Sequence, residues 1–292
     1  MTGAGDQGGG QVAILAGTGL LPRLLAETLE AQGTPPVLAG LEGLTLEALG
    51  DRPVQRFRIE RLMPFLDHLH AQGVRRVILA GAVRRPRLDP EAFDPRTAAL
   101  VPRLAAALGA GDDAALRIVI EIIEEDGFAV LGAHDIAPDL VPGPGVLTAR
   151  SPDAADRADV DRAARIVAAL GAVDVGQGAV VARGLCLALE ALPGTDAMLE
   201  HVAQMRARFP DAPAGGLLFK APKPGQELRA DMPALGPDAV RRAAGAGLRG
   251  IAWQAGGVLL LDRAATVAAA DAAGLFLWAR ESGGDAALSD RG

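Results

Sequence analysis

The chain has 292 residues, of which 50% are hydrophobic and 22% are charged, so it has a globular composition and is long enough for two domains. Its formal net charge of −7 excludes a general nucleic-acid-binding protein, which needs a basic surface. No apolar run reaches the ~20 residues of a membrane span, and the Gly-rich start does not resemble a signal peptide. One cysteine, Cys186, excludes an intrachain disulfide or a multi-cysteine metal site. We expect a soluble, cytoplasmic protein.

The first half of the chain alternates short apolar runs with helical patterns. This alternation predicts an α/β domain with a parallel sheet and right-handed crossovers. The predicted domain spans 11–137. Its predicted strands are 11–16, 36–39, 76–80 and 128–131, and its predicted helices are 20–29, 60–72, 92–108 and 112–126.

The second half begins with a Pro/Gly-rich stretch, 138–152, which we predict to be an interdomain linker. A second α/β domain is predicted over 153–280, and 281–292 is predicted to be a disordered tail. Ser151 is the expected cap of its first helix, and Thr195 or Asp196 that of its second. The predicted helices are 153–170, 195–208, 238–244 and 263–273, and the predicted strands are 179–182, 185–189, 217–219, 250–254, 258–261 and 275–278.

Two glycine-bearing turns follow predicted strands of the first domain. Gly17-Thr18-Gly19 could bring backbone N–H groups to an anionic ligand, or it could be a plain tight turn. A dinucleotide fingerprint needs a further glycine at position 22, where this chain has Pro22, so that signal is weak. Gly81-Ala82-Val83 leads into Arg84 and Arg85, which could clamp a phosphate or belong to a solvated basic loop.

The only two lysines of the chain, Lys220 and Lys223, stand three residues apart after a predicted strand. The residues that follow include Gln226, Arg229 and Asp231. Ammonium, amide and guanidinium groups beside a carboxylate suit a diphosphate with a divalent cation, because Mg²⁺ often shares one or two carboxylates with substrate phosphates. The alternative is a solvated loop.

Three further polar turns contain candidate binding residues. Gln177 and Gly178 lie in a Gly-rich turn that could contact a base or sugar hydroxyl, or simply be exposed. Glu190 and Asp196 offer two carboxylates around Gly194-Thr195, where a helix start could bind an anion. Gly111-Asp112-Asp113 is interpreted as a helix cap rather than a metal ligand. The four histidines have no metal-binding spacing.

Taken together, these motifs resemble the LpxI family of UDP-2,3-diacylglucosamine pyrophosphatases over almost all of residues 12–278. Each motif is weak alone, but their order along the chain is specific. The resemblance rests on Ala16-Gly17, Leu21-Pro22, Ala80-Gly81, Arg85-Pro86, Gly111-Asp112-Asp113, Gly127-Phe128, Gly132-Ala133-His134, the run 174–181, Glu190, the run 194–199, Lys220-Ala221-Pro222-Lys223-Pro224, Gln226, Glu227, Arg229, Asp231, Pro233 and Gly236. Thr18 and Ala82 stand where other residues are common in that family.

The resemblance implies a Rossmann-like N-terminal domain, a C-terminal α/β domain, and an active site in the cleft between them. It implies hydrolysis of UDP-2,3-diacylglucosamine to 2,3-diacylglucosamine 1-phosphate and UMP in lipid A synthesis, with Mg²⁺ or another divalent cation such as Mn²⁺. The family's essential aspartate corresponds to Asp231. The substrate also implies weak, peripheral contact with the inner membrane. A homodimer is a further expectation, and nucleic acid is not an expected partner.

Combining the motifs with this resemblance assigns roles to individual residues. Asp231, Lys220 and Lys223 are the expected catalytic residues. The expected metal ligands are Asp231, Asp196 and Glu190. The expected substrate-binding residues are Gly17, Thr18, Gly19, Gly81, Ala82, Val83, Gln177, Gly178, Gly194, Thr195, Gln226 and Arg229. Two alternatives remain open: an NAD(P)-dependent oxidoreductase and a nucleotide-sugar-binding module without turnover.

Overall fold

The structure, a computed structural model, describes residues 10–83, 87–110 and 112–281. The described residues form two compact units. The first runs up to Pro138 and includes Arg229–Asp231, and the second comprises Asp139–Leu228 and the chain from Met232 onward. None of the described helices is long and apolar enough to cross a membrane.

The first unit contains a five-stranded parallel sheet in the order β3-β2-β1-β4-β5. This is the strand order of a Rossmann-like sheet, as the sequence predicts. The strands are β1 (Gln11–Ala16), β2 (Val37–Leu41), β3 (Gln55–Phe57), β4 (Val74–Ala80) and β5 (Ala129–Leu131). The helices are α1 (Leu21–Ala31), α2 (Leu62–Ala71), α3 (Pro95–Ala98), α4 (Val101–Ala110), α5 (Asp112–Glu125) and α6 (Ala133–Ile136).

Apolar strands and helix faces build the core of this unit. Ala13 and Val77 on the sheet are fully buried against Leu66 of α2 and Ile123 of α5. Strands covered on both faces read as near-continuous apolar runs, which is why β1 and β4 are predictable from the sequence. The three-residue strand β3 was not predicted, since it has no such run.

The prediction of one continuous helix over 92–108 is wrong, although most of that span is helical. The structure has a 3₁₀ turn at Pro90–Ala92, then α3 and α4 as separate helices. Asp94 starts α3, because its carboxylate accepts hydrogen bonds from the N–H groups of Arg96 and Thr97. Pro95 is in the first turn of α3 and Pro102 in the first turn of α4, positions where proline favours a helix start over a helix interior.

The second unit contains a six-stranded mixed sheet in the order β6-β13-β11-β9-β7-β8, and a two-stranded sheet of β10 and β12. The strands are β6 (Gly145–Val146), β7 (Gly178–Ala182), β8 (Leu185–Leu189), β9 (Leu217–Lys220), β10 (Ala234–Leu235), β11 (Gly250–Gln254), β12 (Leu259–Leu260) and β13 (Phe276–Arg280). The helices are α7 (Ala154–Ala172), α8 (Gly194–Arg208), α9 (Pro237–Gly245) and α10 (Arg263–Ala272).

Both faces of the large sheet are covered. Leu218 and Trp253 belong to the core cluster shared with α8, α9 and α10, whereas Phe219 and Ala252 pack with α7 residues such as Val160. The alternation of neighbouring strand residues between two cores follows from the two-residue period of a β-strand.

Three local details of this unit differ from the prediction. Strand β6 lies inside the predicted linker and pairs antiparallel with β13, so residues 145–146 are part of the sheet. The cap of α7 is Asp153 rather than Ser151, because Asp153 and Asp156 exchange hydrogen bonds in a capping box. Strand β10 was not predicted. Of the predicted tail, the described part of the chain contains only Glu281.

Candidate functional site

Three strand ends meet at one edge of the second unit's sheet. Strand β7 runs antiparallel to β8 and β9, with Gly178 opposite Lys220 and Ala179 opposite Leu189. The start of β7 therefore lies beside the ends of β8 and β9. This topology brings the turn before β7, Glu190 after β8, and Lys220 at the end of β9 to the same edge.

Lys220 is buried at this edge, with 3% of its surface exposed. Its Nζ donates a hydrogen bond to Thr195 Oγ1 at 2.7 Å and lies 3.6 Å from Glu190 Oε2. Glu190 is also buried. A buried ammonium is stable only with such partners, since burial disfavours the charged form. The strand end thus holds a fixed positive charge.

The sequence predicted that Thr195 or Asp196 would cap α8, and this prediction is wrong. The helix begins at Gly194 after Pro193, and no side chain caps it. The Thr195 hydroxyl instead accepts the hydrogen bond of Lys220. Asp196 forms an ion pair with Arg242 of α9 at 3.3 Å. The first turn of α8, which carries the positive end of the helix dipole, therefore lies next to the Lys220 ammonium.

Lys223 holds the loop after β9 against the turn before β7. Its Nζ donates to Asp174 Oδ1 at 2.5 Å. Its backbone N–H donates to Gln226 Oε1 at 2.8 Å, and Gln226 Nε2 lies 3.3 Å from Gln177 Oε1. The backbone oxygen of Gln177 accepts a hydrogen bond from the N–H of Ala221. The turn before β7 and the loop after β9, which are far apart in sequence, are therefore joined by one hydrogen-bond network.

The two glycine-bearing turns of the first unit pair with each other. Thr18 and Ala82 exchange backbone hydrogen bonds of 2.8 and 3.0 Å, and the Gly17 N–H donates to the oxygen of Ala80 at 2.7 Å. A Cβ at Gly17 would lie 2.6 Å from the oxygen of Ala82, so only glycine fits there. Gly81 has a φ of +89° and faces Thr18 equally closely. The N–H groups of Gly17, Thr18 and Ala82 are thus used within the protein.

The remaining predicted residues of this unit are more open or outside the described residues. Gly19 has a φ of +98° with no atom near its missing side chain, and Val83 is 50% exposed. Arg84, Arg85, Gly111 and the side chain of Asp112 lie outside the described residues. Asp113 pairs with Arg117 one turn along α5 at 2.8 Å.

The loop after β9 is divided between the units. Arg229, Ala230 and Asp231 belong to the first unit, whereas Lys220 and Lys223 belong to the second. Arg229 donates to Glu124 Oε1 on α5 at 2.6 Å, and Ala230 packs against the first unit's core. Asp231 is exposed.

The predicted metal ligands do not assemble as one cluster. Over residues 10–83, 87–110 and 112–281, no group of three or more His, Cys, Asp or Glu side chains is placed to hold a metal ion. Glu190 lies beside Lys220, Asp196 pairs with Arg242, and Asp231 belongs to the other unit. A cation would then have to rely on few protein oxygens, as Mg²⁺ does when substrate phosphates complete its shell.

The contacts between side chains of the site were not predicted, and two of them show why. The hydrogen bond from Lys220 to Thr195 was not predicted, because a Thr that follows Pro-Gly is typical of a helix cap. The pairing of Lys223 with Asp174 had no local signal, since the two residues are 49 positions apart.

The fold and this site define an α/β protein of two units, with a cationic strand edge suited to an anionic ligand. Comparison with known proteins identifies one family. Residues 11–140 match the LpxI N-terminal domain, and residues 143–278 match the LpxI C-terminal domain. A relative from Caulobacter vibrioides, named UDP-2,3-diacylglucosamine pyrophosphatase LpxI, is 40% identical over 273 residues, covering 91% of this chain and 96% of that protein. The chain belongs to the LpxI family.

Proposed function

We propose that this protein hydrolyses the diphosphate of UDP-2,3-diacylglucosamine, giving 2,3-diacylglucosamine 1-phosphate and UMP, in lipid A biosynthesis. Family membership and the name of the Caulobacter vibrioides relative support the substrate. The observation that carries the chemistry is the buried ammonium of Lys220 beside the first turn of α8. Two sources of positive charge at one point suit a diphosphate.

The reaction breaks one P–O bond of the anhydride. A water oxygen bonds to the phosphorus on the sugar side, the bridging oxygen leaves with UMP, and the two water protons end on the products or on solvent. Negative charge develops on the bridging oxygen as that bond breaks. Fixed donors aimed at such charge supply much of an enzyme's rate enhancement. We assign this role to Lys220, with Lys223, Arg229 and the α8 amides near Thr195 binding other diphosphate oxygens.

The remaining predicted binding residues are assigned to the nucleotide and sugar. The amides of Gln177 and Gln226 are hydrogen-bonded to each other, and the buried Gln226 also accepts the N–H of Lys223. Gly178 lies against the Glu190 side chain at that edge, and Gly194 begins α8 with a φ of +84°. We also assign the turns 17–19 and 81–83 of the first unit to substrate binding, with their shape fixed by the hydrogen bonds between them.

A divalent cation, Mg²⁺ or Mn²⁺, is part of this proposal. Asp231 is the residue we assign to it, with substrate phosphate oxygens as further ligands. The dispersed positions of Glu190 and Asp196 support this reduced ligand set. When bound, the cation would neutralise phosphate charge and acidify a bound water.

The direct test follows UMP release from detergent-solubilised UDP-2,3-diacylglucosamine by chromatography. Activity should require a divalent cation, disappear with EDTA, and be lost in Asp231→Ala. Asp51→Ala replaces another exposed aspartate of the first unit and should keep activity within about twofold. Folded wild-type protein that releases no UMP with any divalent cation would refute the proposal.

We further propose that the enzyme works in the cytoplasm and touches the membrane surface that holds its lipid substrate. Large exposed apolar side chains flank Glu190 in the second unit. Val173 and Val175 lie in the turn that contains Gly176, which packs on Glu190. Leu189 and Leu192 stand on either side of Glu190 in the sequence. Leu192 is 95% exposed. Exposed apolar residues at a lipid-processing site favour contact with a bilayer.

Sedimentation with phosphatidylethanolamine/phosphatidylglycerol vesicles tests this contact. Leu192→Asp should lower the vesicle-bound fraction and the rate on vesicle-embedded substrate, while the rate on detergent-solubilised substrate stays near wild type. Phe209→Asp is the matched control, because Phe209 is a 55% exposed apolar residue at the other end of α8. Equal vesicle binding by wild type and both variants would contradict this assignment.

A further inference from the structure

Glu190 is buried in close contact with the backbone of the turn before β7. It is 6% exposed, and its N–H donates to the oxygen of Gly178 at 2.8 Å. A Cβ at Gly176 would overlap the Glu190 carbonyl, and a Cβ at Gly178 would overlap its carboxylate. Glycine at 176 therefore lets the Glu190 main chain approach this turn, and a side chain at 178 would displace the Glu190 carboxylate from its position.

The Glu190 carboxylate faces Lys220. Its Oε2 accepts no hydrogen bond from the described residues and lies 3.6 Å from Lys220 Nζ. That distance is longer than a hydrogen bond, so the interaction is mainly between the two charges. Burying a carboxylate oxygen without a hydrogen bond is costly, and an opposite charge nearby offsets part of that cost.

Several charged groups on the elements around Lys220 have ion-pair partners of their own. Asp174 binds Lys223 in the adjacent loops, and Arg242 of α9 binds both Asp196 and Glu200 of α8. The residues opposite Lys220 on β7 and β11 are the uncharged Gly178 and Trp253. Thr195 of α8 is neutral.

We infer that Glu190 is a positioning residue, which holds the protonated ammonium of Lys220 at the first turn of α8, and is not a metal ligand. The hydroxyl of Thr195 accepts a hydrogen bond from the ammonium, and the carboxylate of Glu190 places a negative charge 3.6 Å from it. An effect of Glu190 on turnover rests on the proposed function, because it requires Lys220 to bind the diphosphate. An effect of Glu190 on the protonation of Lys220 is independent of the proposed function.

The chain offers a clean measurement, because it contains only two lysines. Protein labelled with [ε-¹³C]lysine gives two side-chain signals, assigned with Lys220→Arg and Lys223→Arg. The full chain is titrated by NMR as wild type, Glu190→Gln, Glu190→Asp and Asp196→Asn. In Glu190→Gln the midpoint of Lys220 should fall by about one pH unit or more, since the ammonium loses a neighbouring negative charge. Lys223 should not move.

The other two variants serve as controls. Glu190→Asp keeps the charge and should restore most of the wild-type midpoint. Asp196→Asn removes an exposed carboxylate at the start of the same helix and should leave Lys220 unchanged. A Lys220 midpoint that is the same in wild type and Glu190→Gln would overturn the inference. Thermal unfolding of each labelled protein establishes that the titrated chain is folded.

Kinetics separates positioning from metal binding. Glu190→Gln should lower kcat for UMP release at least tenfold and move the high-pH limb of its profile to lower pH, with the Mg²⁺ concentration for half-maximal rate unchanged. A raised Mg²⁺ requirement with an unchanged pH profile would identify Glu190 as a ligand and refute the inference. If wild-type protein releases no UMP, the proposed function fails, while the lysine titration still decides the role of Glu190.

Discussion

Both units place glycine-bearing turns at the ends of strands, but they use them differently. In the first unit the turns after β1 and β4 bond to each other through Thr18 and Ala82. In the second unit the turn before β7 packs on Glu190, which faces a buried lysine. The first arrangement fixes backbone shape, and the second fixes charge.

This difference indicates how a glycine turn should be interpreted. A strand–Gly–helix sequence is compatible with a phosphate cradle only if its N–H groups remain available. In the first unit three of these groups donate within the protein, so the glycines at 17 and 81 are needed for close packing of two loops. The charge that a diphosphate requires is concentrated in the second unit, which contains both lysines.

The largest expected effect is on catalysis, from removing the buried charge. Lys220→Met keeps the length and apolar stem of the side chain, and should lower kcat/KM for UMP release by about 10²–10³-fold, as loss of a preorganised donor does. Lys223→Met should cost roughly tenfold, since Lys223 is less buried and pairs with the exposed Asp174. Steady-state kinetics on both variants checks the order. Equal losses would remove the distinction between the two lysines.

The next effect is on stability and concerns the first unit. Gly17→Ala would press a methyl group against the backbone at Gly81 and Ala82, so we expect it to cost about 2 kcal/mol of unfolding free energy through overpacking. Urea unfolding measures the loss. The control is Gly33→Ala, where the only penalty is a φ of +76°, of about 1 kcal/mol. Gly17→Ala as stable as wild type would contradict the close approach of the two turns.

The smallest effect depends on pH. Glu60 fastens the segment after β4, since its Oε1 accepts the N–H of Asp89 at 2.8 Å. That hydrogen bond, helped by Arg58, lowers the pKa of Glu60. A carboxylate with a lowered pKa stabilises the fold above its unfolded pKa, and this stability is lost as pH falls through the folded value.

Urea unfolding of Glu60→Gln from pH 7 to pH 3 tests this dependence. The variant should be less stable than wild type by about 1 kcal/mol at pH 7, and the gap should close below about pH 4.5, the ordinary pKa of a glutamate. Glu91→Gln, an exposed glutamate of the same segment, should follow wild type at every pH. A gap that stays constant to pH 3 would contradict the role given to the Glu60 carboxylate.

Much of the fold could be predicted because apolar strands of five or six residues are recognisable in the sequence. β1, β8 and β11 are found at the predicted residues, and the pattern also fixed the α/β class. The failures were short or proline-rich segments. β6 and β10 have two residues each and exist through pairing with β13 and β12, which no local pattern reports.

The candidate site could be predicted in composition but not in arrangement. Rarity marked Lys220 and Lys223, and the structure places them with Gln177, Gln226 and Thr195. The role of Thr195 was missed because its partner is 25 residues away, on a strand that reaches it only through the sheet order.

The central claim is that the diphosphate is met by the charge at the second unit's strand edge, above all by Lys220. The most direct measurement is the [ε-¹³C]lysine NMR spectrum of Asp231→Ala, titrated with UDP-2,3-diacylglucosamine in detergent micelles. The account predicts a saturable shift of the Lys220 signal, larger than that of Lys223, and no shift with empty micelles. Saturable binding of the substrate with both lysine signals unmoved would contradict it.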